Sequence, residues 1–249
     1  MKRERIDKLL VDRGLANSRT KAQALVMAGV VLIDEQLVNK SSEAFAPDAN
    51  IRLKGDGDPA SRYVSRGGLK LEAALREFQI TTDELTCLDI GASTGGFTDC
   101  LLQHGARRVV AVDVGHNQFD WQLRNDPRIE LREGVNARYL KPEDFDRKFD
   151  LATIDVAFIS ATKILPAVVH LLVEQGKIIT LIKPQFEVGK GEVGKGGIVK
   201  DPAKHERVVA EVNRSAENLG LSVSGVIESP IHGAAGNLEF LALYERSRK

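Results

Sequence analysis

Residues 88–99 read LDIGASTGGFTD. The stretch begins inside an apolar run of strand length, TCLDI (86–90), and then breaks into glycine. Gly91, Gly95 and Gly96 let a backbone turn tightly and approach a ligand without Cβ clashes. The carboxyl end of a first strand is where a doubly wound α/β sheet holds its ligand. Two cofactor classes compete for such a loop. A dinucleotide site needs G-x-G-x-x-G, but the second glycine position is Ser93, which takes away the closest backbone approach to a pyrophosphate. S-adenosyl-L-methionine carries no phosphate and tolerates the G-x-S-x-G form. Asp113 ends the next strand-like run, 24 residues after Asp89, where a carboxylate can accept both ribose hydroxyls. A tight structural turn would explain the glycines but would not by itself call for Asp113 at that spacing.

Outward from this loop, strand-like runs alternate with helical ones, which predicts a mostly parallel sheet. The runs are TCLDI (86–90), RVVAVD (108–113), IELRE (129–133), FDLATID (149–155), KIITLI (177–182), SVSGVI (222–227) and EFLALY (239–244). The clearest helices are SATKILPAVVHLLVEQ and PAKHERVVAEVNRSAENLG. Seven strands, the last with no crossover helix before it, predict an α/β fold: a Rossmann-like seven-stranded methyltransferase sheet over residues 60–249. Asn136, in GVNARYL, falls where this fold often contacts adenine, although an Asx turn explains it as well.

The first 54 residues follow another pattern and predict a small α+β domain over 1–59. Ile6, Leu9, Leu10 and Arg13 have helical spacing, and Gly14 stops that helix. Asn17 or Ser18 can cap a second helix with Ala22, Leu25 and Val26 on its apolar side, ending at Gly29. VVLID and IRLK then read as strands, and GDGDPAS (55–61) as a linker. The motifs R-x-D-x-x-L (Arg5, Asp7, Leu10), S-R-x-x-A (Ser18, Arg19, Ala22) and G-V-V (Gly29 to Val31) resemble the αL-type RNA-binding module of a ribosomal protein, pseudouridine synthases and tyrosyl-tRNA synthetases. The resemblance implies that Arg5, Lys8, Arg19 and Lys21 face RNA. Residues 1–21 carry seven basic and three acidic groups, a local +4 in a chain of net charge zero. Such a patch can hold a polyanion, and a solvated helix face is the other meaning of a short charge run.

The remaining composition is that of a soluble chain with a real core: 43% hydrophobic and 28% charged over 249 residues. No apolar run approaches the roughly 18 residues of a membrane span. MKRERIDKLL lacks the apolar core and cleavage site of a secretory signal. Cys87 and Cys100 suggest neither disulfides nor a metal site. The expectation is a cytoplasmic monomer with no structural metal.

Four polar groups stand at the edges of the larger domain. Lys70, in SRGGLKLEAAL, falls in the first turn of a helix, where the dipole disfavours a cation. Asp155 ends the fourth strand, Lys183 ends the fifth before Pro184, and Glu239 opens the last. Strand ends meet at one rim of such a sheet, which puts Asp155 and Lys183 beside the cofactor. Taken singly, each is as well explained by a salt bridge or a solvent-facing lysine. Taken in order, Lys, Asp, Lys and Glu resemble the tetrad of FtsJ-like RNA ribose 2′-O-methyltransferases. With the N-terminal module, the motifs VSRGGLKL, LDIGASTGGFTDCLL, VDVGHNQ, IDVAFIS, LIKPQFE and HGAAGNLEFL resemble the TlyA/haemolysin A family over nearly the whole chain. Phe97 stands where FtsJ-like members often carry tryptophan. The resemblance implies methyl transfer from S-adenosylmethionine to a cytidine 2′-hydroxyl in ribosomal RNA of one or both subunits. Cofactor contacts would then come from Gly91, Ser93, Gly95, Gly96, Phe97, Asp113, Asn136 and Asp155.

The chemistry gives the tetrad work to do. A lysine, with a reference pKa of about 10.4, must be shifted down to serve as a base near neutrality. A second lysine nearby and partial desolvation push in that direction. Lys183 is the candidate that takes or steers the proton, Asp155 orients it, and Lys70 and Glu239 place the hydroxyl.

GKGEVGKGG (189–197) imitates a phosphate-binding loop. Gly196 replaces the Ser or Thr that would hold magnesium, and Asp201-Pro202 makes a better helix start than Lys195. The segment reads as a mobile loop over the substrate, with Lys190, Lys195 and Lys200 near RNA phosphates, or as a disordered surface loop. Two rival functions stay in view: a non-catalytic ribosome-assembly protein, and a pore-forming haemolysin, for which no amphipathic membrane segment is evident.

Overall fold

The computed structural model describes residues 3–27, 29–34, 36–53, 62–189, 191–233 and 236–246; the GDGDPAS stretch and Lys190 lie outside them. The chain divides into two compact units, Met1–Arg62 and Tyr63–Lys249.

In the first unit, β1 (Glu4–Arg5) leads into α1 (Ile6–Asp12) and α2 (Arg19–Met27), followed by β2 (Val31–Ile33), β3 (Gln36–Leu37), β4 (Ala44–Phe45) and β5 (Ile51–Leu53). Strand β1 pairs with β4, and β2 lies between β3 and β5; every pair is antiparallel. Gly14 takes a positive φ just past α1, and Ser18 Oγ accepts the Lys21 amide at the start of α2. Ile6, Leu9, Leu10, Ala22 and Val26 form the core.

One polar residue sits within that core. Asp7 is fully buried and accepts hydrogen bonds from Arg5 Nε and Nη2 (3.1 and 2.8 Å), Arg19 Nη2 (3.0 Å) and Gln23 Nε2 (3.1 Å). The Arg5 hydrogen bonds hold its carboxyl well below the usual carboxylate range. Arg5 and Arg19 are thus fixed in place by a buried anion, while Lys8 pairs with Glu4 and Asp12 (3.1 and 3.7 Å) and Lys21 is exposed.

The second unit carries α3 (Gly67–Glu77), β6 (Thr86–Ile90), α4 (Gly96–Gln103), β7 (Arg108–Val112), α5 (Trp121–Arg124), β8 (Ile129–Arg132) and β9 (Phe149–Ile154). It continues through α6 (Leu165–Val168), β10 (Leu172–Ile182), α7 (Pro184–Glu187), α8 (Pro202–Glu217), β11 (Leu221–Glu228) and β12 (Phe240–Arg246). The seven strands form one sheet in the order β11-β12-β10-β9-β6-β7-β8, parallel except for β12, which is antiparallel to both neighbours. Each of the seven overlaps a run read from sequence, and β10 extends upstream of its run to Leu172. Side chains alternate between two buried faces. Leu88, Ile90, Ala152 and Ile154 share one face with Leu165, Val168, Val208 and Val212. Cys87, Leu151, Ile179 and Leu181 share the other with Leu71, Leu75 and Leu101.

The predicted helix over SATKILPAVVHLLVEQ is broken. A 3-10 turn over Ala161–Lys163, the single turn of α6 and a second 3-10 turn over Val169–Leu171 replace it, and strand β10 already begins at Leu172. Pro166 sits at the start of α6, and in the run VVHLL only His170 is exposed, the four apolar residues being buried. Leu172 pairs with Phe149, and the ladder slips before resuming at Lys177. By contrast α8 begins as read, with Asp201 Oδ1 accepting the Ala203 amide at 3.0 Å and Pro202 in the first turn.

Candidate active site

The loop after β6 has little freedom. Gly91 takes φ +82°, and a Cβ there would come within 2.3 Å of the Asp155 carbonyl oxygen. Ser93, at the position where a dinucleotide fold has glycine, also takes a left-handed backbone, with φ +49°. Its amide donates to Asp113 Oδ2 at 2.8 Å, and the Gly115 amide donates to Oδ1 at 2.6 Å. The Ser93 amide is therefore committed to a carboxylate instead of a phosphate. Each Asp113 oxygen retains acceptor capacity for a hydroxyl.

Asp89, one strand in from the loop, is fully buried between the hydroxyls of Thr98 (2.6 Å) and Thr153 (2.8 Å). Burial pushes its carboxyl up to about 6 from 3.8. A folded-state value above the unfolded one stabilises the fold below about pH 4, and that contribution is lost as pH rises through 6, on the order of 3 kcal/mol. Asp89→Asn should therefore flatten the decline of unfolding free energy between pH 4 and 7, measured by denaturant titration. An unchanged slope would assign the pH dependence elsewhere.

Two cavities open at the carboxyl ends of the parallel strands. One, of about 490 Å³, is lined by Ile90, Asp113, Gly115, Val135, Asn136 and Ile164 among others. The second, of about 610 Å³, contains Ser65, Arg66, Lys70, Phe97, Gln185 and Glu239. They meet at Gly91, Ser93, Asp155, Ala157, Phe158 and Lys183, which line both. The four polar groups form two ion pairs. Lys183 Nζ lies 2.5 Å from Asp155 Oδ1, at the junction of the cavities. Lys70 Nζ lies 2.5 Å from Glu239 Oε2, in the larger cavity, with Glu239 only 2% exposed. Lys70 thus has a carboxylate partner to offset the unfavourable helix start. Each of the two lysines is matched to its own acid.

The predicted cofactor residues divide between the cavities. Gly91, Ser93, Asp113, Asn136 and Asp155 line the smaller one. Gly96 and Phe97 line only the larger, and Gly95 lines neither, packing against Leu123 and Phe119. Asn136 Oδ1 accepts the Arg138 amide at 3.1 Å, so it makes an Asx turn and lines the cavity at once.

Several residues escaped the sequence reading. Phe158 is 91% exposed on the shared rim, with φ +63°, and its ring sits 5.1 Å from that of Phe186. Glu187 accepts from Ser160 Oγ (2.5 Å) and the Ala161 amide (2.8 Å), tying the segment after Asp155 to the helix after Lys183. Burial raises its carboxyl above the usual range. Gln185 Nε2 donates to Glu239 Oε1 at 3.4 Å. These residues lie in IDVAFIS and LIKPQFE, but nothing in a lone Phe, Gln or Glu there marks it off from core or surface.

The GKGEVGKGG segment is not followed by a helix at Lys195; only a 3-10 turn, Lys195–Gly197, forms there. Val193 and Gly197 line the larger cavity. Glu192 is held by Arg207 at 2.7 and 2.8 Å, and its carbonyl accepts from Lys204 Nζ at 3.0 Å.

Comparison with known proteins agrees with this geometry. Residues 63–246 match the FtsJ-like methyltransferase family and residues 4–50 the S4 domain. The "Putative rRNA methyltransferase YqxC" of Bacillus subtilis is 48% identical over 96% of this chain and 85% of its own. The "16S/23S rRNA (cytidine-2'-O)-methyltransferase TlyA" of Mycobacterium tuberculosis is 46% identical over 96% of this chain and 88% of its own. A solved structure, "Putative hemolysin from Streptococcus thermophilus", superposes with a TM-score of 0.77 at 45% identity, covering 100% of this chain and 90% of that one. No helix among the described residues is long and apolar enough to cross a membrane. The chain belongs to the FtsJ-like methyltransferase family, with an S4 domain ahead of its methyltransferase domain.

Proposed function

We propose that this chain transfers a methyl group from S-adenosylmethionine to the 2′-hydroxyl of a cytidine in ribosomal RNA. The observation that carries the reading is the position of the Lys183–Asp155 pair at the junction of two cavities, with the buried Lys70–Glu239 pair in the larger one. The smaller cavity suits the cofactor: a carboxylate held by two backbone amides, the Ser93 amide among them, and a glycine backed against Asp155. Asp113 would hold the ribose hydroxyls and Asn136 would lie beside the adenine.

The bound cofactor supplies an electrophilic sulfonium methyl. In the larger cavity Lys70, held by Glu239, positions the acceptor ribose. As the O2′–CH3 bond forms, the donor's S–CH3 bond breaks and its electron pair stays on sulfur as a neutral thioether, while the O2′ proton passes to Lys183 Nζ in its unprotonated form, which Asp155 orients, and then to solvent. Asp155 also sets a negative charge beside the cationic donor, which favours its binding. The exposed ring of Phe158 offers the acceptor base a stacking face. In the S4 domain, Arg5, Lys8, Arg19 and Lys21 would meet RNA phosphates, with Asp7 fixing the two arginines.

The test is transfer of radiolabelled methyl to ribosomal subunits and to free ribosomal RNA. Label at a cytidine whose 3′ linkage resists alkaline cleavage is the expected result. Cofactor binding without label in any RNA or subunit would overturn the reading in favour of an assembly role.

A further inference from the structure

Close to Glu239 lies a buried amide that the chemistry above does not use. Asn237 is 1% exposed, and both ends of its side chain are committed to the glycine-rich loop. The Val199 amide donates to its Oδ1 and its Nδ2 donates to the Gly197 carbonyl, each at 2.9 Å. Its own carbonyl accepts from the Gly233 amide at 2.9 Å. Gly233 in turn abuts Glu239: a Cβ there would fall 2.2 Å from Glu239 Oε1. From the other side, His205 donates Nε2–H to the Val199 carbonyl at 2.8 Å. Here Gly196 and Gly197 take φ +78° and +79° with open space where a Cβ would stand, and within the loop the Gly197 amide donates to the Gly194 carbonyl at 3.1 Å.

A buried amide satisfied at both ends holds one donor and one acceptor in a single orientation, which a space-filling apolar residue cannot do. Gly197 and Asn237 itself line the larger cavity, whose lining also includes Lys70 and Glu239. We propose that Asn237 is a positioning residue for RNA acceptance: it fixes the glycine-rich loop as the outer wall of the acceptor cavity, in register with Glu239. The inference rests on the methyl-transfer reading above, because the wall matters only if the larger cavity takes the acceptor.

The test uses the full chain with Asn237→Ala and with Asn237→Asp, which keeps the shape and the Val199 bond but loses the donor to Gly197. Expected is a KM for ribosomal RNA raised about tenfold or more, with kcat within about threefold and cofactor affinity unchanged. Trypsin should also cut faster at Lys195 and Lys200. An unchanged KM beside faster cleavage would overturn the proposal, as would a matching loss of cofactor affinity, which marks a purely structural role. Should neither variant fold, hydrogen exchange on the wild-type protein decides. Protection at the Val199 amide that deepens with ribosomal RNA supports the clamp, and rapid exchange in the free protein refutes it. A wild-type protein that binds cofactor but methylates no RNA would instead sink the functional reading itself.

Discussion

Lys183→Ala is expected to slow methyl transfer by roughly 10²- to 10⁴-fold, the range a positioned proton acceptor contributes, while cofactor still binds. The side chains of Lys183 and Asp155 are 14% and 22% exposed, so their 2.5 Å contact is shielded from water on most sides. Removing the lysine leaves Asp155 facing a cationic donor, which keeps the attraction for cofactor and removes the route for the proton. Single-turnover methylation, read beside cofactor binding, separates these effects. Lys183→Arg sharpens the test, because a guanidinium preserves the ion pair but stays protonated. If proton transfer is the role, arginine fails nearly as badly as alanine. Retained activity in the arginine variant would reduce Lys183 to a charge that steers the hydroxyl, and near wild-type activity in the alanine variant would remove it from the mechanism.

The site was legible in sequence to the extent that strand ends were. Asp113, Asp155 and Lys183 each stand one residue beyond a strand, and Glu239 one residue before one, so locating β7, β9, β10 and β12 located them. Alternating or continuous apolar runs made those strands readable, since both faces of the sheet are buried. The pairing within the site was not readable. Lys70 and Glu239 are 169 residues apart, and no local pattern says that they meet. For the same reason Asp7 looked like one acid among basic neighbours, when it is the buried anion that fixes Arg5 and Arg19. The failed helix over residues 160–175 was a different error, of period: an uninterrupted apolar run serves a buried turn and a central strand equally well. Asn237 and Phe158 share a third reason, because their roles follow from burial and exposure, which composition does not reveal.

Gly91→Ala is expected to abolish cofactor binding and to destabilise the methyltransferase domain by several kcal/mol. Two costs add. An L-residue at φ +82° carries about 1–2 kcal/mol of backbone strain. The larger cost is steric: the new Cβ would stand 2.3 Å from the Asp155 oxygen and 2.8 Å from its carbonyl carbon. Neither backbone can move aside freely. The Asp155 amide donates to Ile90 at 2.9 Å and the Gly91 amide to Val112 at 2.8 Å, so a shift breaks the ends of the central strand pairs. Whatever shift occurs also carries Asp155 away from Lys183, so the substitution damages the cofactor pocket and the proton route together. Gly220→Ala supplies the control, since its φ is +78° but no atom lies within 4 Å of a Cβ there. That variant should lose only the strain cost, on the order of 1 kcal/mol, with cofactor affinity intact. Denaturant unfolding and calorimetric cofactor titration on both variants measure the difference. Were Gly91→Ala to bind cofactor within about tenfold of wild type, the contact with Asp155 would not be what makes glycine necessary, and positive φ alone would account for it.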